Sequence, residues 1–285
     1  MPRDIDPSLN RRRLRVELRK ARYKCGLTKQ QTANALDWSL SKIMRIEAGA
    51  VSVSVTDVRA LIQQYEITDP TLIGELEDAA RGSKGPSWWA SWGNLVSPQY
   101  AQYLGYEGAA TSIRMHHPIV IPGLLETEDY ATALLTPVSD SGDIRRSVEL
   151  RIARQERYLD SDSGPRVEVV LDEAAVRRVI GGPKVMRQQL EHLKTLARRP
   201  RVRIRLLPFT MGAHFSTLSP FVLLGFQDDD DLLYLEGPNG GLSNRDDLDL
   251  TVRYQECFAD ISDNAYDGDR MIEFLDTVKE SLDND

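Results

Sequence analysis

The sequence has few of the residues from which disulfide frameworks and zinc sites are built. Its 285 residues include two cysteines, Cys25 and Cys257, and no Cys-x-x-Cys pair. The four histidines do not form a His-Glu-x-x-His motif. We therefore expect no disulfide, no metal site and no cofactor, and the composition fits a reducing cytoplasm.

Long apolar runs are also absent. No stretch of about 18 apolar residues is present, so we expect no membrane span. The first residues, MPRDIDPSLNRRRL, have no apolar core of the kind found in secretory signals. With 41% hydrophobic and 28% charged residues, the chain resembles an ordinary globular protein, which we expect to be cytoplasmic.

The common signatures of catalysis are missing as well. There is no Gly-x-Ser-x-Gly, and the glycine-rich residues 237–241 lack the Lys-Ser/Thr of a phosphate loop. The acidic residues 228–231 lack the glycine and glutamate of a calcium loop, so we interpret them as an exposed hairpin tip. We expect no catalytic residues and no enzyme activity.

What the sequence does have is an uneven distribution of charge. Residues 1–50 contain 12 Lys and Arg against 5 Asp and Glu, a net charge of +7. The whole chain has a net charge of −7, so the remainder has −14. A basic segment of this kind attracts phosphate, whereas the acidic remainder would repel it or serve only solubility.

Residues 26–49 have the pattern of two short helices joined by a tight turn. Thr28 and Gln31 predict a capping box at the start of the first helix. Ser39 is expected to cap the second helix, over residues 40–48, with Ile43 and Ile46 facing a core. Helices before and after this pair, over residues 11–24 and from Ser54 onward, complete a small all-α domain.

This stretch, GLTKQQTANALDWSLSKIMRIEAG, resembles the Cro/repressor-like (Xre) helix-turn-helix family. The residues that match the family pattern are Gly26, Leu27, Thr28, Ala33, Leu36, Ser39, Ile43, Ile46, Glu47 and Gly49. The resemblance implies binding to a double-stranded DNA operator. The chain departs from the pattern at Asp37, where the family has a turn glycine, at Thr32, and at Lys29.

The resemblance also implies roles for individual residues. Leu40, Ser41 and Arg45 would read bases, with Lys42 beside them, and Lys29 would contact a backbone phosphate. Arg22 and Glu47 would form a structural pair that braces the first helix against the third. The full predicted DNA-binding set is Lys29, Gln30, Ser39, Leu40, Ser41, Lys42 and Arg45.

The breaks in the sequence predict three parts: a lambda-repressor-like domain of four to five helices at residues 1–81, a linker at 82–87, and a regulatory and dimerisation domain at 88–285. Three tryptophans open the last part, with Trp88 and Trp92 on one face of an expected helix and Trp89 beside them. They fit either a buried core or a binding interface.

The C-terminal part has the pattern of an α+β domain, with a small mixed or antiparallel sheet covered by helices. Strands are expected at residues 167–171 and 202–207, and a hairpin at 220–226 and 231–236. Helices are expected at 100–115, 126–135, 144–159, 172–179, 184–198, 246–260 and 267–282. The outward arginines predicted for helix 144–159 form either a second nucleic-acid patch or a solvated face, and they are Arg145, Arg146, Arg151, Arg154 and Arg157.

From Trp88 to the C-terminus, several motifs resemble one further domain. They include Trp-Trp-x-x-Trp, IVIPGLLETEDYA and RIRLLPF. A domain with these landmarks follows the helix-turn-helix in actinomycete regulators of the WhiJ-like, Scr1-type family. That resemblance implies a transcriptional regulator often encoded beside a small acidic partner protein.

Three functional hypotheses follow. The first is a dimeric repressor that reads two half-sites and whose C-terminal domain dimerises and receives a signal from a small partner protein or a small-molecule effector. The second is an antitoxin-like module that docks a small partner. The third is an enzyme fused to a DNA-binding domain, which would require converging titratable residues within residues 166–240.

Overall fold

A computed structural model of the chain describes residues 7–47, 52–93, 95–160, 164–227, 230–236, 242–244 and 248–282. The chain forms two compact units. The first unit consists of the described residues up to Ser91 together with Ala101–Ala109. The second consists of Trp92–Tyr100 and the described residues from Ala110 onward. The linker expected at residues 82–87 stays a prediction.

The first unit is helical, as predicted. Its order begins with the helices α1 (Pro7–Lys24), α2 (Lys29–Ala35), α3 (Leu40–Glu47), α4 (Val55–Gln64) and α5 (Pro70–Gly82). α1 ends at a turn in which Gly26 has φ +67°, a conformation that glycine adopts without strain. Thr28 and Gln31 form the predicted capping box, and the Ser54 hydroxyl accepts a hydrogen bond from the Asp57 amide.

The core of the first unit forms where the apolar faces of these helices meet. Leu14 and Leu18 of α1 and Ile43 of α3 are fully buried, as the spacing predicts. Val58 of α4 and Leu76 of α5 join the same cluster. Each such side chain contributes about 1.5–3 kcal/mol of transfer free energy, so packing fixes the orientation of α3.

Among the described residues of the second unit, six strands form one mixed sheet. They are β1 (Ser112–His117), β2 (Arg166–Asp172), β3 (Val202–Leu207), β4 (Phe221–Gly225), β5 (Leu232–Leu235) and β6 (Leu242–Asn244). The strand order is β3-β2-β1-β4-β5-β6. The first three strands are parallel and the remaining pairs are antiparallel, so the predicted α+β fold class is confirmed.

Helices accompany this sheet, and most of the predicted ones are present. They are α7 (Glu128–Leu135), α8 (Ser141–Tyr158), α9 (Glu173–Arg177), α10 (Pro183–Ala197), α11 (Leu248–Asn264) and α12 (Gly268–Ser281). The hairpin β4–β5 also forms as expected, with Phe221 opposite Leu235. The short strand β6 was not predicted.

The helix predicted at residues 100–115 is confirmed in its first half and wrong in its second. Helix α6 spans Pro98–Glu107, and the chain then enters β1 at Ser112. Ile113 and Met115 are both buried in this central strand, which pairs with β2 on one side and β4 on the other. Sheet pairing with distant segments therefore overrides the apparent helical spacing.

The expected α-helix through the tryptophans is also wrong. Trp88 and Trp89 lie in a turn, and a single 3₁₀ turn, Ala90–Trp92, follows. The ring centroids of Trp88 and Trp89 are 5.6 Å apart in an edge-to-face arrangement, and Trp89 is buried. Trp89 is therefore a core residue, whereas an interface role for the partly exposed Trp88 and Trp92 stays a prediction.

Two of the arginines expected on the outer face of α8 turn toward partners on the protein, and one of them is buried. Arg154 is buried and donates a hydrogen bond to the Tyr100 hydroxyl at 3.1 Å. Arg151 bonds the buried carboxylate of Glu126 at 2.8 Å. Partners distant in sequence thus bring these two side chains inward, and they form no part of an exposed basic patch.

Several predictions fall on residues outside those described. These are the end of α3 at Ala48 with its stop at Gly49, the hairpin tip at Asp228 and Asp229, the glycine-rich residues 237–241, and a helix start at Asp246.

Candidate nucleic-acid interface

The turn between α2 and α3 sets the direction of α3. Asp37 occupies the turn with φ 52°, the left-handed conformation in which the family pattern has glycine. The Trp38 amide donates to the Ala33 carbonyl at 2.8 Å, and the Ser39 hydroxyl accepts from the Lys42 amide at 3.2 Å. Ser39 therefore caps α3, as predicted. A non-glycine residue in this conformation costs about 1–2 kcal/mol relative to glycine.

One side of α3 is buried and the other is exposed. Ile43 and Ile46 face the core, as expected. Ser41 and Arg45, one helical turn apart, are exposed, and Leu40 is 37% exposed at the start of the helix. A hydroxyl and a guanidinium on the exposed side of a short helix suit hydrogen bonding to base edges in a major groove.

Met44 lies on the same exposed side and was left out of the predicted contact set. It is 51% exposed, although methionine is usually buried. Helical spacing alone places Met44 on the same side as Ser41 and Arg45, so the sequence could have identified it as a candidate contact. An apolar side chain there is suited to the methyl group of thymine.

Lys42 differs from its neighbours because its ammonium group already has partners on the protein. The Nζ atom lies 2.7 Å from Asp57 Oδ1 and 3.5 Å from the centroid of the Trp38 ring. The cation–π contact and the ion pair hold this side chain against α4 and the turn. Its role as a DNA contact stays a prediction and requires release from Asp57.

Lys29 and Gln30 occupy the first two positions of α2, and both side chains are exposed. Gln30 Nε2 donates to Asn34 Oδ1 at 2.8 Å along the same helix. The capping box directs the Thr28 and Gln31 side chains to the helix end, which leaves Lys29 exposed beside it. The predicted phosphate ligand, Lys29, therefore lies at the capped start of α2, the helix that precedes the predicted base-reading helix α3 in the chain.

Arg22 and Glu47 form the predicted structural pair. Arg22 Nε and Nη2 donate to the two oxygens of Glu47 at 2.6 and 2.9 Å, and both side chains are almost completely buried. Arg22 Nη1 also donates to the Leu27 carbonyl at 2.7 Å. Hydrogen bonding to Glu47 raises the pKa of Arg22, so the buried guanidinium stays charged. The pair joins α1 to the last residue of α3.

In the second unit, titratable groups gather near the carboxyl ends of β1 and β2. His116 is fully buried, and its Nδ1 lies 3.0 Å from the Val170 carbonyl oxygen. Its ring packs edge-to-face on His214, with centroids 5.1 Å apart. Burial lowers the pKa of His116 to about 3 and that of His117 to about 4. Neutral, buried imidazoles of this kind are common in protein cores, so these histidines do not by themselves indicate an active site. The expected absence of enzyme activity stays a prediction.

Two further features of the described residues bear on other functions. In the part of the chain that the structure describes, no group of three His, Cys, Asp or Glu side chains is arranged to hold a metal ion. In the same part, no helix combines the length and the apolar character needed to cross a membrane.

Comparisons with known proteins agree with the division into a helical and a mixed part. Residues 13–76 match a helix-turn-helix domain, and residues 100–277 match a domain of unknown function, DUF5753. No curated protein and no solved structure matches the chain. The first match covers α2, α3 and the turn between them, so these elements belong to a helix-turn-helix domain, and the base contacts predicted on the exposed side of α3 stay predictions.

Proposed function

Because the chain belongs to the DUF5753 family and carries an N-terminal helix-turn-helix domain, we propose that it is a dimeric, sequence-specific transcriptional repressor. In this proposal the helix-turn-helix reads an operator, and the DUF5753 domain holds the dimer and receives a signal. In the same proposal the chain is one of the WhiJ-like, Scr1-type regulators of actinomycetes.

The observation that supports sequence-specific binding is the geometry of α3. Its buried side is fixed by Ile43 and Ile46, and its end is fixed by the Arg22–Glu47 pair. Its opposite side presents Ser41 and Arg45 to solvent. A rigid helix with exposed donors on one side can discriminate bases, because the donors are positioned before DNA binds.

The size of this surface supports the dimer. One helix of this length reaches only a few base pairs, which does not specify a site in a genome. Two copies related by a two-fold axis read two half-sites about 10 base pairs apart. The net charge of −14 on the residues after position 50 disfavours DNA contact by the rest of the chain, so a second helix-turn-helix must come from a second copy.

The acidic charge of the remaining chain also supports a separate signal-receiving part. A domain that repels phosphate can change DNA binding when a partner alters its position or its charge. We include both kinds of signal in the proposal: a small partner protein, as the family resemblance implies, and a small-molecule effector.

The proposal is tested by selecting bound sequences from random DNA with the full-length protein, followed by sedimentation of the complex. We expect an enriched inverted repeat with half-sites about one helical turn apart, and two chains per site. A reporter gene placed behind the enriched site should be less active when the protein is present. Absence of any enriched sequence, or a one-chain complex, would overturn the proposal.

A further inference from the structure

The second unit has a surface groove between α7 and α8 that none of the functions above uses. The space in the groove is about 660 Å³. Its floor is apolar and consists mainly of Ile144, Val148 and Ile152, which lie at i, i+4 and i+8 along α8. Ala153 extends the floor beside them. We call this surface the α7–α8 groove.

The edges of the α7–α8 groove are acidic. Glu128 lies on the α7 side, and Glu149 and Glu156 lie on the α8 side, and all three are exposed. Arg145 is the basic group that lines the groove, and its Nε lies 3.7 Å from Glu149 Oε1. Three carboxylates and one guanidinium give the lining charged residues a net charge of −2.

We propose that the α7–α8 groove docks a basic amphipathic helix from another protein. Ile144 and Ile152 are eight positions apart on α8, a length of about 12 Å at 1.5 Å per residue. That length accepts three apolar side chains spaced at i, i+4 and i+8 on a docked helix. Lysines or arginines on either side of that apolar stripe would meet Glu128, Glu149 and Glu156.

The charge of the groove decides among the possible occupants. A second copy docking through the same surface would place two acidic rims against each other, because a two-fold interface uses the same patch twice. DNA would be repelled by the rim carboxylates. An acidic partner, of the kind that the family resemblance implies, would meet like charge here. A basic helix is the occupant for which both the apolar floor and the rim are complementary.

This inference does not rest on the proposed DNA-binding function, so its test is separate. Three fluorescein-labelled synthetic peptides of about 14 residues are titrated into the full-length protein. The first is a basic helix with leucines at i, i+4 and i+8 between lysines. The second has the same composition with the leucines scattered, and the third has glutamates in place of the lysines. Binding is measured by fluorescence anisotropy at low and high salt.

We expect the basic amphipathic peptide to bind at least about tenfold more tightly than the other two, and to weaken as salt rises. The double variant Glu149→Lys/Glu156→Lys should lose this binding about tenfold or more. Ile152→Asp should lose peptide binding at both salt concentrations, because it puts a carboxylate in the apolar floor against the leucines of the peptide. The double variant Glu256→Lys/Glu273→Lys, which makes the same charge change at exposed positions of α11 and α12, is the matched control and should bind the peptide like wild type.

Three outcomes would overturn the inference. Equal binding of the ordered and scattered basic peptides would show that charge alone is recognised. Unchanged binding in the double variant would place the peptide elsewhere on the chain. A sedimentation experiment in which Ile152→Asp dissociates a dimer of the full-length protein would identify the groove as a contact between two copies.

Discussion

Arg22 on α1 and Glu47 at the end of α3 make two hydrogen bonds, 2.6 and 2.9 Å long, inside the core of the helix-turn-helix domain. Both side chains are almost completely shielded from water. Since the other end of α3 carries the exposed Ser41, this pair fixes the angle at which the DNA-facing side leaves the domain.

Removing one member of this pair should destabilise the domain strongly. Glu47→Ala leaves the Arg22 guanidinium buried without its carboxylate, which costs about 3–5 kcal/mol. Hydrogen exchange of the α1 and α3 amides in the full-length protein measures this loss locally. The control is Glu75→Ala, which breaks the exposed ion pair with Arg13 and should cost less than about 1 kcal/mol. Equal protection in the two variants would contradict a structural role for the pair.

Lys29 should contribute affinity without sequence preference. Lys29→Ala removes one phosphate contact per chain, so the slope of log K against log salt should fall by about 0.9 for each half-site. The change is measured by anisotropy with the selected operator and with an unrelated duplex at several salt concentrations. Arg59→Ala, a loss of the same charge from an exposed position of α4, should leave the slope unchanged. An effect of Lys29→Ala on one duplex alone would contradict a phosphate contact.

Lys42 should bind DNA more strongly once Asp57 no longer competes for it. Asp57→Asn removes the carboxylate that lies 2.7 Å from Lys42 Nζ, while the bond from the Asp57 amide to Ser54 can remain. We expect a gain in affinity of roughly three- to tenfold, since a freed charge near a phosphate contributes of order 1 kcal/mol. The decisive comparison is Asp57→Asn in a Lys42→Met background, where the gain should disappear. A gain that persists without Lys42 would show that the loss of negative charge acts alone.

The second unit should lose stability as pH falls below 6.5, because its buried histidines are neutral when folded. Burial, with the nearby positive charge of Arg154, lowers the pKa of His117 to about 4, whereas the unfolded chain protonates near 6.5. The unfolded state therefore binds more protons, and the free energy of unfolding should fall by about 1.5 kcal/mol for this group between pH 6.5 and 5.

The buried carboxylate of Glu126 acts in the opposite direction, since burial raises its pKa. The test is consequently the difference between wild type and His117→Gln in the exchange protection of β1 amides at pH 7 and pH 5, corrected for intrinsic exchange rates. The variant should lose less protection on acidification. Parallel losses in the two proteins would contradict neutral burial of His117.

The helix-turn-helix was predictable because its determinants are local. The Thr28–Gln31 box, the Ser39 cap and the buried spacing of Ile43 and Ile46 all depend on neighbours within a few residues. The resemblance to known helix-turn-helix domains supplied the Arg22–Glu47 pair, which spans 25 positions and has no local signal.

The errors in the second unit have the opposite origin. Residues 112–117 became a strand because β2 and β4, both distant in sequence, pair with them. Helical spacing predicted Arg151 and Arg154 on the outer face of α8. In the structure Arg151 bonds Glu126 and Arg154 bonds Tyr100, and neither partner is close in sequence. The α7–α8 groove likewise depends on two helices packing together, so sequence periodicity could not define it.

Base recognition by Arg45 tests the central claim most directly. The affinities of wild type and Arg45→Ala are measured for the selected operator and for every single base-pair substitution in one half-site. Wild type should lose about 1–3 kcal/mol at the base pair that Arg45 contacts, and Arg45→Ala should become indifferent at that position while staying sensitive at the others. If Arg45→Ala instead keeps the wild-type pattern of losses across the half-site, the exposed side of α3 does not read the operator.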